Sequence, residues 1–152
     1  MSVRNRFTGV AAFLALLISS AAIPLYAGNV LITNQEASLP PPKGAVAADR
    51  RGITRGPKIK VIDEREPVHS PIHLQVMFES FGGAKIDPDS VKVTYLKTPN
   101  VDLTPRVRPF VQSAGIDMPD VELPVGDHMM RIDVKDSDGR IGSTSFMLKV
   151  EP

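Results

Sequence analysis

Between residues 124 and 150, apolar and polar side chains alternate with a period of two, in two runs joined by a turn. In the first run Met130, Ile132 and Val134 alternate with Arg131, Asp133 and Lys135. In the second, Phe146, Leu148 and Val150 alternate with Met147 and Lys149. A strand sends successive side chains to opposite faces, so each run buries one face and wets the other. Pro124-Val125-Gly126-Asp127 opens the pair, and Asp136-Ser137-Asp138-Gly139-Arg140 joins the two runs. Aspartate and glycine suit such turns because both tolerate left-handed backbone. A hairpin with one core face commits the chain to a layered, strand-built fold.

The upstream residues repeat this pattern. Residues 58–62 form a strand with Ile59 and Val61 inward, ended by Asp63-Glu64-Arg65-Glu66-Pro67. In residues 71–79, Ile72, Leu74, Val76 and Phe78 face one way and His73, Gln75, Met77 and Glu79 the other. Phe81-Gly82-Gly83 turns the chain, and Asp87-Pro88-Asp89-Ser90 predicts a turn or one helical turn. Residues 91–96 follow as a strand burying Val91, Val93 and Tyr95. Thr104-Pro105-Arg106-Val107 has the form of a helix start, with threonine as N-cap and proline next. Pro109 keeps that helix to one or two turns, carrying Leu103, Val107, Phe110 and Val111 against the sheet. Gly115 is its expected end, and Val121-Glu122-Leu123 is a short strand. About seven short strands and one short helical turn within residues 57–152 predict an all-β, antiparallel β-sandwich.

The start of the chain reads differently. Arg4 and Arg6 precede an apolar run over residues 10–23, and Leu25-Tyr26-Ala27 offers a small residue before Gly28. This is the pattern of a cleaved secretory signal over residues 1–27, with Ser20-Ala21-Ala22 as a second possible cut. The run is shorter than the roughly 20 residues a membrane span needs, so no transmembrane span is expected in the mature form. Residues 28–56 hold Leu39-Pro40-Pro41-Pro42-Lys43 and the cations Arg50, Arg51 and Arg55, and read as a flexible tether. Within it, residues 29–33 suggest a short edge strand. The chain has no cysteine, which excludes disulfides, thiolate metal sites and a lipidated cysteine. Removing Arg4 and Arg6 from the 18 basic residues leaves 16 against 17 acidic ones. That near-neutral balance argues against nucleic-acid binding.

The segments Leu123-Pro124-Val125-Gly126-Asp127-His128, residues 133–140 and Phe146-Met147-Leu148-Lys149-Val150 resemble the closing strands of bacterial immunoglobulin-like domains of the E-set type. Residues 71–78 resemble an early core strand of that fold. The resemblance implies an immunoglobulin-like sandwich over residues 57–152 and leaves function open. The layout is also similar, more distantly, to the periplasmic copper-resistance C family. Members of that family place one histidine at the mature N-terminus and another after the Asp-Gly of the last turn. Gly28 and Arg140 stand at those positions here, so no ligand carries over.

Several residues invite chemistry. Asp133, Asp136 and Asp138 suggest calcium, although a tight turn calls for the same residues. His128 and Met130 share a strand face about 7 Å apart and suggest a soft metal. His73 and Met77 lie about twice as far apart, and methionines usually fill core gaps. Glu64 and Glu66 are a conceivable carboxylate pair, but no nucleophile motif accompanies them. The exposed row His73, Gln75, Met77 and Glu79, and the basic Arg50, Arg51 and Arg55, are the expected partner-binding residues. The basic stretch could also touch anionic lipid weakly. The expectation is an exported, non-catalytic accessory module of the bacterial envelope, without cofactor, that binds another envelope protein. Its expected location is the periplasm, with the extracellular space as alternative. A periplasmic copper-handling protein and a small hydrolase are the competing readings.

Overall fold

The structure, a computed structural model, describes residues 28–43, 55–62 and 67–152. Its strands are β1 (Asn29–Val30), β2 (Lys58–Val61), β3 (Val68–His69), β4 (Ile72–Glu79), β5 (Ile86–Tyr95), β6 (Val101–Asp102), β7 (Val111–Gln112), β8 (Gly115–Glu122), β9 (Gly126–Asp136) and β10 (Ile141–Glu151). Two four-residue helices, α1 (Asn34–Ala37) and α2 (Thr104–Val107), and a 3-10 turn, Arg108–Phe110, complete the described elements. The chain is an all-β sandwich. One sheet runs β1-β8-β4-β2, with β7 also on β8; the other runs β3-β10-β9-β5-β6.

The terminal hairpin forms in the register its alternation dictates. Ile141 lies opposite Lys135, Phe146 opposite Met130 and Val150 opposite Gly126. Met130, Ile132, Val134, Leu148 and Val150 are buried from this side, and Leu74, Val76 and Phe78 of β4 from the facing sheet. Ile72 and Phe146 pack on the same core while partly exposed. The two-residue period of each strand thus supplies one wall of a common core.

Four departures from the sequence reading have local causes. Residues 87–90 are not a separate turn; they lie within β5, whose register against β9 shifts between Asp87 and Lys92. There Asp89 N donates to Asp87 Oδ1 at 3.0 Å and Ser90 Oγ to Asp87 O at 2.6 Å, so the turn-forming side chains make a bulge instead. Thr104 is the first residue of α2 rather than its N-cap, which is Leu103. The Thr104 hydroxyl accepts from Val93 N at 3.0 Å, and this ties α2 along the open edge of β5. Gly115 opens β8 instead of closing a helix, so the strand over 121–123 is the tail of an eight-residue one. The sandwich is not purely antiparallel, since β1 pairs with β8 and β3 with β10 in parallel.

The expected tether over residues 28–56 is contradicted where it is described. Residues 28–43 are a packed strap. Leu31 and Ile32 are 0% and 2% exposed in the core. Thr33 and Glu36 form a reciprocal cap at the start of α1. Lys97 Nζ donates to Ala37 O at 2.9 Å, and Thr98 N donates to Pro40 O at 2.9 Å. Two buried aliphatic side chains and a chain of hydrogen bonds outweigh the loop-like composition of this stretch. Residues 1–27, residues 44–54 of the expected tether with Arg50 and Arg51, and the pair Glu64 and Glu66 lie outside the described residues.

Candidate functional site

The outer face of the β4 sheet is organised by cross-strand register. Lys58 lies opposite Glu79 and Lys60 opposite Met77 on β2; Asp117 lies opposite Gln75 and Gly115 opposite Met77 on β8. His73, Gln75, Met77 and Glu79 therefore stand in one row, as their alternation predicts. The polar members are paired to neighbouring strands. Asp117 Oδ1 accepts from His73 Nε2 and, at 3.4 Å, from Gln75 Nε2. Lys60 Nζ donates to Glu79 Oε1 at 2.9 Å. The His73 bond, then the Gln75 bond, hold the Asp117 carboxyl below its ordinary range. The Lys60 ammonium does the same for Glu79.

Met77 is the apolar member of the row, and it is 46% exposed. Its β8 neighbour is a glycine, so no side chain covers it from that strand. A cleft of about 420 Å³ adjoins the row, where β2 and β4 face β3 and β10. Val61, Val68, Ile72 and Leu148 give it apolar walls, with His69 and His73 among the polar groups. His69 Nδ1 lies 3.3 Å from Glu151 O. The row is thus a flat surface of prearranged polar groups around one thioether, with a cleft at its end. Arg55 is exposed.

The metal candidates sit elsewhere, and their donor atoms are already engaged. His128 is 1% exposed; its Nε2 lies 2.7 Å from Pro124 O and its Nδ1 3.0 Å from the Tyr95 hydroxyl. A carbonyl can only accept, so Nε2 carries the proton and Nδ1 accepts from Tyr95. Burial lowers the His128 pKa, keeping the ring neutral. Met130 is fully buried in the core. Asp136 Oδ1 accepts from Asp138 N at 3.0 Å and Arg140 N at 2.9 Å, and Oδ2 from Arg140 Nε at 2.8 Å. Asp138 pairs with Arg140 at 2.9 Å. Burial pushes the Asp136 carboxyl up, but the Arg140 and Asp138 bonds prevail and it stays below its usual range. His128 and Met130 are therefore parts of the core, and Asp136 and Asp138 are parts of the turn. Among the described residues, no three histidine, aspartate or glutamate side chains converge as a metal site.

Sequence reading placed a short edge strand over residues 29–33, where β1 covers Asn29–Val30 at the sheet edge, but missed the rest of the strap and its clasp. Thr33-Asn34-Gln35-Glu36 after Leu31-Ile32 is the signature of a capped helix behind an apolar pair, and it was the available signal. Arg106 as the partner of Glu36 has no such signal, because 70 residues separate them. The chain matches no protein-family model, no curated protein and no solved structure. Among the described residues, no helix is long and apolar enough to cross a membrane.

Proposed function

We propose that this chain is an exported, non-catalytic accessory module of the bacterial envelope, built on an immunoglobulin-like sandwich, which binds another envelope protein through the outer face of β4. The observation that carries the reading is Met77, a half-exposed thioether framed by the prearranged pairs His73–Asp117 and Lys60–Glu79. Polar groups already oriented by their neighbours lose little freedom on docking, and a thioether adapts its shape to an apolar partner. The strand order supports the fold reading. β2-β4-β8-β7 opposite β10-β9-β5-β6 follows the order A-B-E-D opposite G-F-C-C′ of immunoglobulin domains. The leader pattern supports export.

A photo-crosslinking residue at position 77 of the exported chain tests this reading in cells. The expected result is one discrete protein adduct from position 77 and none from position 131 on the opposite sheet. Equal labelling from both positions, or none from either, overturns the reading. Titration with Cu(I), Cu(II) and Ca²⁺ addresses the metal alternative. Binding tighter than about 1 μM that is lost in His128→Ala would replace the adaptor reading with metal handling.

A further inference from the structure

Directly after the expected cut the chain is paired to β8. Asn29 and Val30 pair with Val121 and Glu122, and Leu31 N donates to Glu122 O at 3.1 Å. Asn29 Nδ2 donates to Pro119 O at 2.8 Å. Gly28 stands in front of this pairing. A Cβ built on it would lie 2.1 Å from Glu122 Oε1 and 2.6 Å from Glu122 Cδ. Any side chain there would displace the carboxylate. By standard bond lengths the backbone nitrogen is about 2.5 Å from that Cβ position, so Oε1 lies within about 4.6 Å of the Gly28 nitrogen.

The geometry points to Gly28 as the mature N-terminus, released at the Ala27–Gly28 bond, with its new α-ammonium seated on the Glu122 carboxylate. The inference rests on the export reading and adds the cut position and the group that receives the product. Hydrolysis by an export-pathway peptidase consumes one water. The Ala27 carbonyl carbon leaves as a carboxylate, and the Gly28 nitrogen takes up protons and becomes an ammonium. Before the cut that nitrogen is an uncharged amide; afterwards opposite charges face each other at the edge of the sheet. The β8 carboxylate beside Gly28 is that of Glu122, and it favours the ammonium. On the strap itself Glu36 is held by Arg106. A cut after Ala22 would leave five residues ahead of Gly28 and an amide against Glu122. The scissile bond lies one residue from β1, so cutting precedes docking of the strap, because proteolysis acts on opened chain.

The test has two parts. The full chain is expressed in a Gram-negative host and the exported product weighed intact; the expected mass is that of residues 28–152. Export with a start at Ile23 overturns this inference and leaves the export reading standing, whereas retention of the uncut chain inside the cell overturns both. In the chain starting at Gly28, NMR titration of the α-amino group is expected to give a pKa above the usual range of about 7.7–8.0, returning to it in Glu122→Gln. Equal values in the two chains overturn the seat whatever the cut position.

Discussion

Arg106 grips Glu36 at two points, Nη1 to Oε2 at 2.8 Å and Nη2 to Oε1 at 2.7 Å, while the same Nη1 also donates to Leu31 O at 2.7 Å. One guanidinium therefore fastens the strap to α2 through both a side chain and the backbone. The Glu36 side chain is 18% exposed and that of Arg106 34%, so water screens the pair only in part. The Arg106 bonds, helped by Thr33 and opposed by burial, bring the Glu36 pKa down from 4.5 to about 2.

Glu36→Gln is expected to cost about 1–3 kcal/mol at neutral pH, read as a lower urea midpoint. A depressed folded pKa contributes stability that is complete above the unfolded value and is lost as pH falls through the folded one. The gap between wild type and Glu36→Gln should therefore hold from pH 7 down to about 4.5 and shrink toward pH 2. A gap independent of pH over that window would remove the ion pair from the account.

Leu31 and Ile32 distinguish a strap from a tether. Each is essentially inaccessible, so Leu31→Ala and Ile32→Ala should each cost about 2–4 kcal/mol through lost burial and a residual cavity. Val30 is 46% exposed, and Val30→Ala should stay within about 0.5 kcal/mol. Chemical denaturation of the three variants checks this; three silent substitutions would mean that the segment does not belong to the core.

These two pairs of residues mark the boundary of what the amino-acid order alone conveys. The walls of the sandwich were legible because Ile132, Leu74 and Val76 announce their facing by a two-residue period that needs no partner to be recognised. The row of His73, Gln75, Met77 and Glu79 was legible for the same reason. Of the strap only the edge strand was legible; its packing was not, because Leu31 and Ile32 are adjacent rather than alternating, and three prolines and scattered charges follow them. Nor was His128: its position shows that it faces inward, but the Tyr95 hydroxyl that satisfies it lies 33 residues away. Cross-chain polar pairing depends on tertiary register, which periodicity does not encode.

His128 makes the sandwich acid-sensitive in a range where most carboxylates are still ionised. Its neutral ring suits both partners, and burial lowers its pKa from 6.5. The unfolded chain then binds the proton more readily, so stability is complete above about pH 6.5 and declines below it. His128→Ala would orphan the Tyr95 hydroxyl and leave a void, at a cost of about 2–4 kcal/mol. Thermal melts from pH 8 to 5 should show the decline in wild type; NMR titration of the ring should place its pKa below that of an exposed histidine.

Calcium should find no place at the final turn. The Asp136 oxygens accept from two backbone amides and from Arg140, and Asp138 is paired with the same arginine. A calcium ion would have to displace those donors. Millimolar calcium is therefore expected to leave the unfolding midpoint unchanged, whereas a ligand at 100 times its Kd would add about 2.7 kcal/mol. A calcium-dependent rise in the midpoint that disappears in Asp138→Ala would show a cation site after all.

Gly115 links the fold to the proposed face. Its φ of +154° is one that side-chain-bearing residues rarely adopt, and a Cβ there would lie 1.9 Å from Val76 O and 3.1 Å from Met77 Cα. Those atoms are β4 backbone and cannot rotate aside. Gly115→Ala should therefore push β8 from β4, loosen the His73–Asp117 bond and cost about 3 kcal/mol or more. Gly139, with φ of +77° and nothing within 4 Å of its would-be Cβ, is the control: Gly139→Ala meets only the left-handed backbone penalty of about 1–2 kcal/mol. If the two alanines cost the same, the close approach of β4 and β8 is not what requires glycine, and the register that exposes Met77 must be held by other contacts.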